Sequence, residues 1–157
     1  PNIETMPWAG RFHNEPITPG LLETAQYLRT HAEYGDIFAM GVVATSPTYP
    51  NNPVDNVISL TGIPAYLARA DMRLKWSGCV RDIVIQRLGS LQALSAIKNW
   101  PDAQRLLHNN GIRWFLALSG EKQNWDIDRK FAVFSSNGVS IYDVGHSETE
   151  NFKKTQC

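Results

Sequence analysis

Apolar positions along this chain recur first at helical spacing, then in unbroken runs, and the switches between the two predict its elements. Leu21, Leu22, Ala25 and Leu28 lie on one helical face. Thr18 is a candidate N-cap, and Pro19 suits the first helical position, where its missing N–H costs nothing. A helix is expected over about 19–31, with Gly35 ending the connection. Ile37 to Val43 then runs apolar without alternation, as a strand covered on both faces does. Residues 45–56 form a proline-rich stretch, expected as a long loop of the kind that often binds ligands or else runs idly over the surface. Val57-Ile58-Ser59-Leu60 reads as a second short strand, ended by Thr61-Gly62-Ile63-Pro64 and followed by a short helix over about 65–72. Val80, Ile83, Val84, Leu88, Leu91, Leu94 and Ile97 mark the longest helix, about 79–97. Asn99-Trp100-Pro101-Asp102 restarts a helix that Asn110-Gly111 stops. Ile112 to Leu118 is a third strand, and a polar loop runs over 119–128.

The chain closes with two apolar runs, 131–136 and 139–144, around Asn137-Gly138. Asn-Gly between such runs is the strongest short hairpin signal, because a type I′ turn needs positive φ at both positions. The register sets Phe134 opposite Ile141 and Val133 opposite Tyr142, on opposite faces, so the hairpin is expected to be covered on both sides. Together the elements predict an α/β layered sandwich with a mixed, partly parallel sheet closed by a C-terminal β-hairpin. An extended lead-in over 1–17, a single domain over 18–145 and a polar tail over 146–157 complete the organisation.

Composition narrows the partners. The formal net charge is zero, so strong attraction to nucleic acid or anionic lipid is not expected. Only 19% of residues are charged, which leaves much uncharged polar surface or a surface covered by a partner. The longest apolar run falls far short of the ~20 residues that span a bilayer, and no signal peptide opens the chain, so the piece itself is expected to be soluble. It starts at Pro1 rather than Met and reads as part of something longer. The two cysteines, Cys79 and Cys157, are expected as free thiols, the first buried in a helix and the second on the tail. A disulfide would need the tail to fold back.

Candidate chemistry is sparse. Ligands of open α/β sheets gather beyond the carboxyl ends of parallel strands. Those ends are expected at Thr45-Ser46, Thr61-Gly62 and Ser119-Gly120, whose small polar groups suit a hydroxyl-rich ligand or serve only as turn residues. Arg69, Arg73 and Arg81 lie in an arginine-rich segment that would welcome a phosphate, or is simply a solvated helix surface. The four histidines are far apart, so no metal site is expected, and no cofactor motif appears. Asp126 and Asp128 at i,i+2 spacing give no reason to expect a carboxylate pair for glycoside hydrolysis. Among the tryptophans, Trp114 and Trp100 are expected in the core, and Trp8, Trp76 and Trp125 at the surface.

Four stretches carry a resemblance: Ile17 to Arg29, Val57 to Leu67, Ala103 to Phe115, and Val139 to Val144. Their order resembles the C-terminal extracytoplasmic domain of bacterial C-type, polytopic membrane glycosyltransferases. There a helix opens the domain, a strand ends in a Gly-x-Pro turn, and a leucine-rich helix, Gly and an aromatic strand precede a closing hairpin. Such relatives often carry Arg before the Pro of that turn, where this chain has Ile63. The resemblance implies a parent enzyme using a polyprenyl-phosphate sugar. It also implies an upstream transmembrane region of the same polypeptide as partner and a place on the periplasmic face of the inner membrane. The catalytic carboxylate of such a parent would lie on an early loop outside this chain, so no catalytic residue is assigned here. The domain's own role would be non-catalytic: bracing the membrane part or binding a glycan acceptor. The alternatives are a self-contained cytoplasmic α/β enzyme and a purely structural interaction domain.

Overall fold

The computed structural model describes residues 17–45 and 52–146. Helix α1 (Leu21–His31) precedes strand β1 (Phe38–Met40), which a short 3-10 turn, Val42–Thr45, follows. Four helices come next: α2 (Pro53–Thr61), α3 (Ala70–Leu74), α4 (Cys79–Leu94) and α5 (Trp100–Asn109). Strands β2 (Trp114–Ala117), β3 (Phe134–Ser136) and β4 (Val139–Asp143) end the fold. The strands form one open sheet in the order β1-β2-β4-β3. β1 and β2 are parallel, while β4 runs antiparallel to both β2 and β3. The protein is thus mixed α/β with a partly parallel sheet, and its C-terminal hairpin supplies the antiparallel half.

Period-two alternation in the strands builds two cores. Phe38, Met40, Trp114, Leu116, Val139 and Ile141 share one cluster with Leu21 and Leu28 of α1 and Val54 and Val57 of α2. Ala39, Phe115, Ala117 and Tyr142 share the other with Val84, Leu91 and Leu94 of α4 and Ala103 and Leu107 of α5. Both faces of the sheet are therefore apolar and both carry helices, which explains why β1 and β2 read as unbroken hydrophobic runs.

The expected strand over 57–60 is helical. Asn52 accepts a hydrogen bond from the Asp55 N–H at 3.4 Å and donates through Nδ2 to Asp55 Oδ2 at 2.7 Å. Pro53 takes the first helical position, and Gly62, at φ +74°, ends the helix with its N–H on the Ile58 carbonyl. Start and stop signals at both ends override the β-preference of Val57 and Ile58. The stretch expected as one long loop over 45–56 is broken accordingly, because Pro53 onward is helix. The chain still makes a second parallel contact with β1, one step later. The Phe38 N–H donates to the Pro64 carbonyl, and the Tyr66 N–H donates to the Phe38 carbonyl. The helix expected over 65–72 becomes this extended contact followed by α3.

Two smaller departures concern ends and cysteines. α1 starts at Leu21 because Gly20 sits at φ +84°, after a turn that joins the Leu21 N–H to the Thr18 carbonyl. A Cβ at Gly20 would lie 2.2 Å from the Ser136 carbonyl oxygen, so this end of α1 is seated on the hairpin. Cys79 is exposed, not buried, and it is disulfide-bonded, not a free thiol. The chain has one other cysteine, Cys157, which lies outside the described residues, as does Trp8. Trp125, expected at the surface, is buried at 3% exposure because Trp100, Phe115 and Tyr142 rings pack around it.

The hairpin has the expected turn, with Asn137 at φ 46° and Gly138 at φ 84°, and the expected Phe134–Ile141 pairing. Coverage on both faces holds for β4 but not for the edge strand β3, where Val133 stays 47% exposed outside the ladder. A Cβ at Gly138 would meet Ser119 Oγ at 2.6 Å as well as strain the backbone. Gly138→Val should therefore destabilise by about 2 kcal/mol, lowering the melting temperature by about 4–8 °C. A thermal melt followed by circular dichroism checks this, and an unchanged midpoint would argue against the turn.

Candidate active cleft at the strand ends

β1 and β2, running parallel, deliver their carboxyl ends to one side of the molecule. A cleft of about 440 Å³ opens there. Its walls are Gly41 to Val43 after β1, Leu91 to Ser95 near the end of α4, and Gly120 to Gln123 after β2, with Phe115 beneath. Apolar residues alternate in the lining with Gln92, Ser95, Lys122, Gln123 and Glu121, and the carboxylate of Glu121 is the one held by the strand-end loop.

Local chain geometry fixes Glu121. Gly120, at φ +84°, turns the chain after β2, and the Glu121 N–H donates back to the Leu118 carbonyl at 3.1 Å. The side chain completes the loop by accepting the Leu118 N–H on Oε2, also at 3.1 Å. Burial pushes the Glu121 carboxyl above its usual value, against smaller opposing pulls from that hydrogen bond and from the Arg129 guanidinium. Arg129 itself donates to Ser140 Oγ at 2.8 Å and to the Gly138 carbonyl, which pins it beneath the hairpin turn.

The expected ligand residues divide between two ends of the sheet. Gly120 lines this cleft, and exposed Ser119 lies at its hairpin side, against Gly138. Thr45 is buried and spends its hydroxyl on the Val42 carbonyl at 2.7 Å. Ser46 lies outside the described residues. Thr61 and Gly62 line a different cleft of about 520 Å³, together with Gly35 and Asp36 just before β1. They cannot join the others in one concavity, because they end a helix rather than a strand and sit at the opposite end of β1. The Thr61 hydroxyl also donates to the Val57 carbonyl at 2.7 Å.

The three arginines lie away from both clefts. Arg69 is engaged with Asp55, with Nε 2.6 Å from Oδ2. Arg73 and Arg81 are exposed on α3 and α4, and neither lines the clefts at the two ends of the sheet. Arg87, between them and the core, donates to the Tyr66 carbonyl at 2.6 Å and covers the Tyr66 ring. Asp126 and Asp128 also have separate duties. Buried Asp126 accepts the N–H groups of Lys130 and Phe131, whereas exposed Asp128 pairs with Lys130. Burial, and then the Asp126 carboxylate, hold the Tyr142 phenol far above its usual range, so it stays neutral.

Gly41 and Glu121 are the residues that sequence reasoning missed. The signal that was available is an acid directly after Ser119-Gly120 at the end of an unbroken apolar strand, where the parallel-strand rule places ligands. No family model, curated protein or solved structure matches the chain.

The raised Glu121 carboxyl has a stability consequence with a definite sign. Folded protein holds this proton to higher pH than the unfolded chain, so stability falls as pH rises from about the ordinary 4.5 through the raised folded value. Glu121→Gln removes that cost and keeps an oxygen for the Leu118 N–H. Its melting temperature relative to the native protein should therefore be more favourable at pH 7 than at pH 4. A difference that does not change with pH would place the carboxylate in water.

Proposed function

We propose that this chain is the extramembrane C-terminal domain of a polytopic, membrane glycosyltransferase-like protein. It faces the periplasm and acts by binding a glycan acceptor rather than by catalysis. The observation that carries the compartment is the disulfide at Cys79. Disulfides persist in oxidising compartments and are rare in the cytosol, which favours this reading over a self-contained cytoplasmic enzyme. No described helix is long and apolar enough to cross a membrane, so the hydrophobic spans of this reading belong to the upstream part of the same polypeptide.

The resemblance supports the parent. Ile17 to Arg29 leads into and forms most of α1, and Gly62-Ile63-Pro64 turns the chain onto the edge of β1. Ala103 to Phe115 runs from α5 into β2, and Val139 to Val144 spans β4. The departure is the segment before the Gly-x-Pro turn, a helix here where the resemblance implies a strand. The strand-end cleft favours acceptor binding over simple bracing, because bracing needs no concavity beyond the parallel strands.

Cysteine labelling in whole cells tests the placement. In the intact protein, Cys79 should resist a thiol reagent until reductant is added, and the domain should be cut by protease in spheroplasts. Free labelling of Cys79 without reductant, or protection in spheroplasts with cleavage in inverted vesicles, would overturn the periplasmic reading. Sugar transfer from a polyprenyl donor by the purified domain, abolished by one substitution within it, would overturn the non-catalytic one.

A further inference from the structure

Glycine at position 41 has no backbone reason to be there. Its φ is not in the positive range that favours glycine. What the missing side chain gives is room: a Cβ at Gly41 would lie 3.0 Å from Glu121 Oε1 and 3.2 Å from Oε2. The carboxylate is thus laid flat over the end of β1, at the wall of the strand-end cleft.

A carboxylate has about four acceptor positions. At Glu121 the Leu118 N–H occupies one of them. The group is half withdrawn from water and lines a cleft that mixes apolar residues, such as Leu91 and Val42, with the polar Gln92, Ser95 and Gln123. Glu121 lines the cleft with acceptor positions beyond the one that Leu118 fills, so a ligand that brings donors can pair with it there. The donors should be uncharged. Arg129 already acts on the carboxylate, and Lys122 lies on the same wall, so an ammonium ligand would meet two cations.

We infer that Gly41 and Glu121 form a subsite for a neutral pyranose, with adjacent hydroxyls donating to the Glu121 carboxylate and an apolar ring face lying on the aliphatic wall. The volume, about 440 Å³, is within the ~300–1,000 Å³ of small-molecule sites. The subsite rests on the acceptor-binding reading only for the glycan's role. Its geometry is independent of where the parent protein resides, so redox or topology results that overturn that placement leave it standing.

Titration of the isotope-labelled protein with methyl glucoside, cyclohexanol and cyclohexylamine, read by amide NMR shifts, tests the inference. Methyl glucoside should shift Gly41, Gly120 and Glu121 with millimolar affinity. Glu121→Gln, which keeps the Leu118 hydrogen bond, should weaken it about tenfold or more. Gly41→Ala should weaken it too, by displacing the carboxylate. Equal binding of cyclohexanol, or no effect of Glu121→Gln, would mean an apolar pocket without diol recognition and overturn the proposal. Tighter binding of cyclohexylamine would overturn the choice of a neutral ligand. Shifts confined to Thr61-Gly62 or to Arg73 and Arg81, or none up to about 50 mM, would overturn the site itself.

Discussion

Strand β2 is the constraint on which the rest of this protein depends. All of its residues, and Leu118 after it, are buried at 2% exposure or less. Trp114 and Leu116 face one core and Phe115 and Ala117 the other, so neither side of the strand can be left to water. Its neighbours are equally committed, β1 on one edge and β4 on the other. Trp114 also anchors the sheet laterally. Its indole N–H donates to Asp36 Oδ2 at 2.8 Å, and the Arg113 guanidinium lies over its ring while pairing with Asp143 of β4. A buried indole and a buried carboxylate satisfy each other here, where either alone would be costly.

Much of this is legible in the sequence. α1, α4, α5, β1, β2 and the hairpin follow from spacing, caps and the Asn137-Gly138 turn, because those signals are local. The failure at 57–60 was a contest between two local signals. Val57 and Ile58 favour extended backbone, but Asn52, Pro53, Asp55 and Gly62 define both ends of a helix, and the ends prevailed. Trp125 was misplaced for a different reason. An irregular backbone says nothing about burial when a cluster of distant rings closes over the side chain.

The site was less legible than the fold because one misassigned element moves its residues to the other end of the sheet. Treating α2 as a strand placed Thr61-Gly62 beside Ser119-Gly120, whereas as a helix it returns the chain to the amino end of β1. The pair that does meet, Gly41 and Glu121, is separated by most of the domain in sequence. Only the parallel pairing of β1 and β2 brings the two together, and no local pattern encodes that approach.

The seating of Gly20 against the Ser136 carbonyl joins the first helix to the last hairpin. Within the domain, α1 is synthesised before β3 and β4, against which it packs as well as against α2. Contacts of such long sequence separation form late and leave apolar surface uncovered meanwhile. Leu21 and Leu28 share their cluster with Val139 and Ile141, so their burial is complete only after the hairpin has formed.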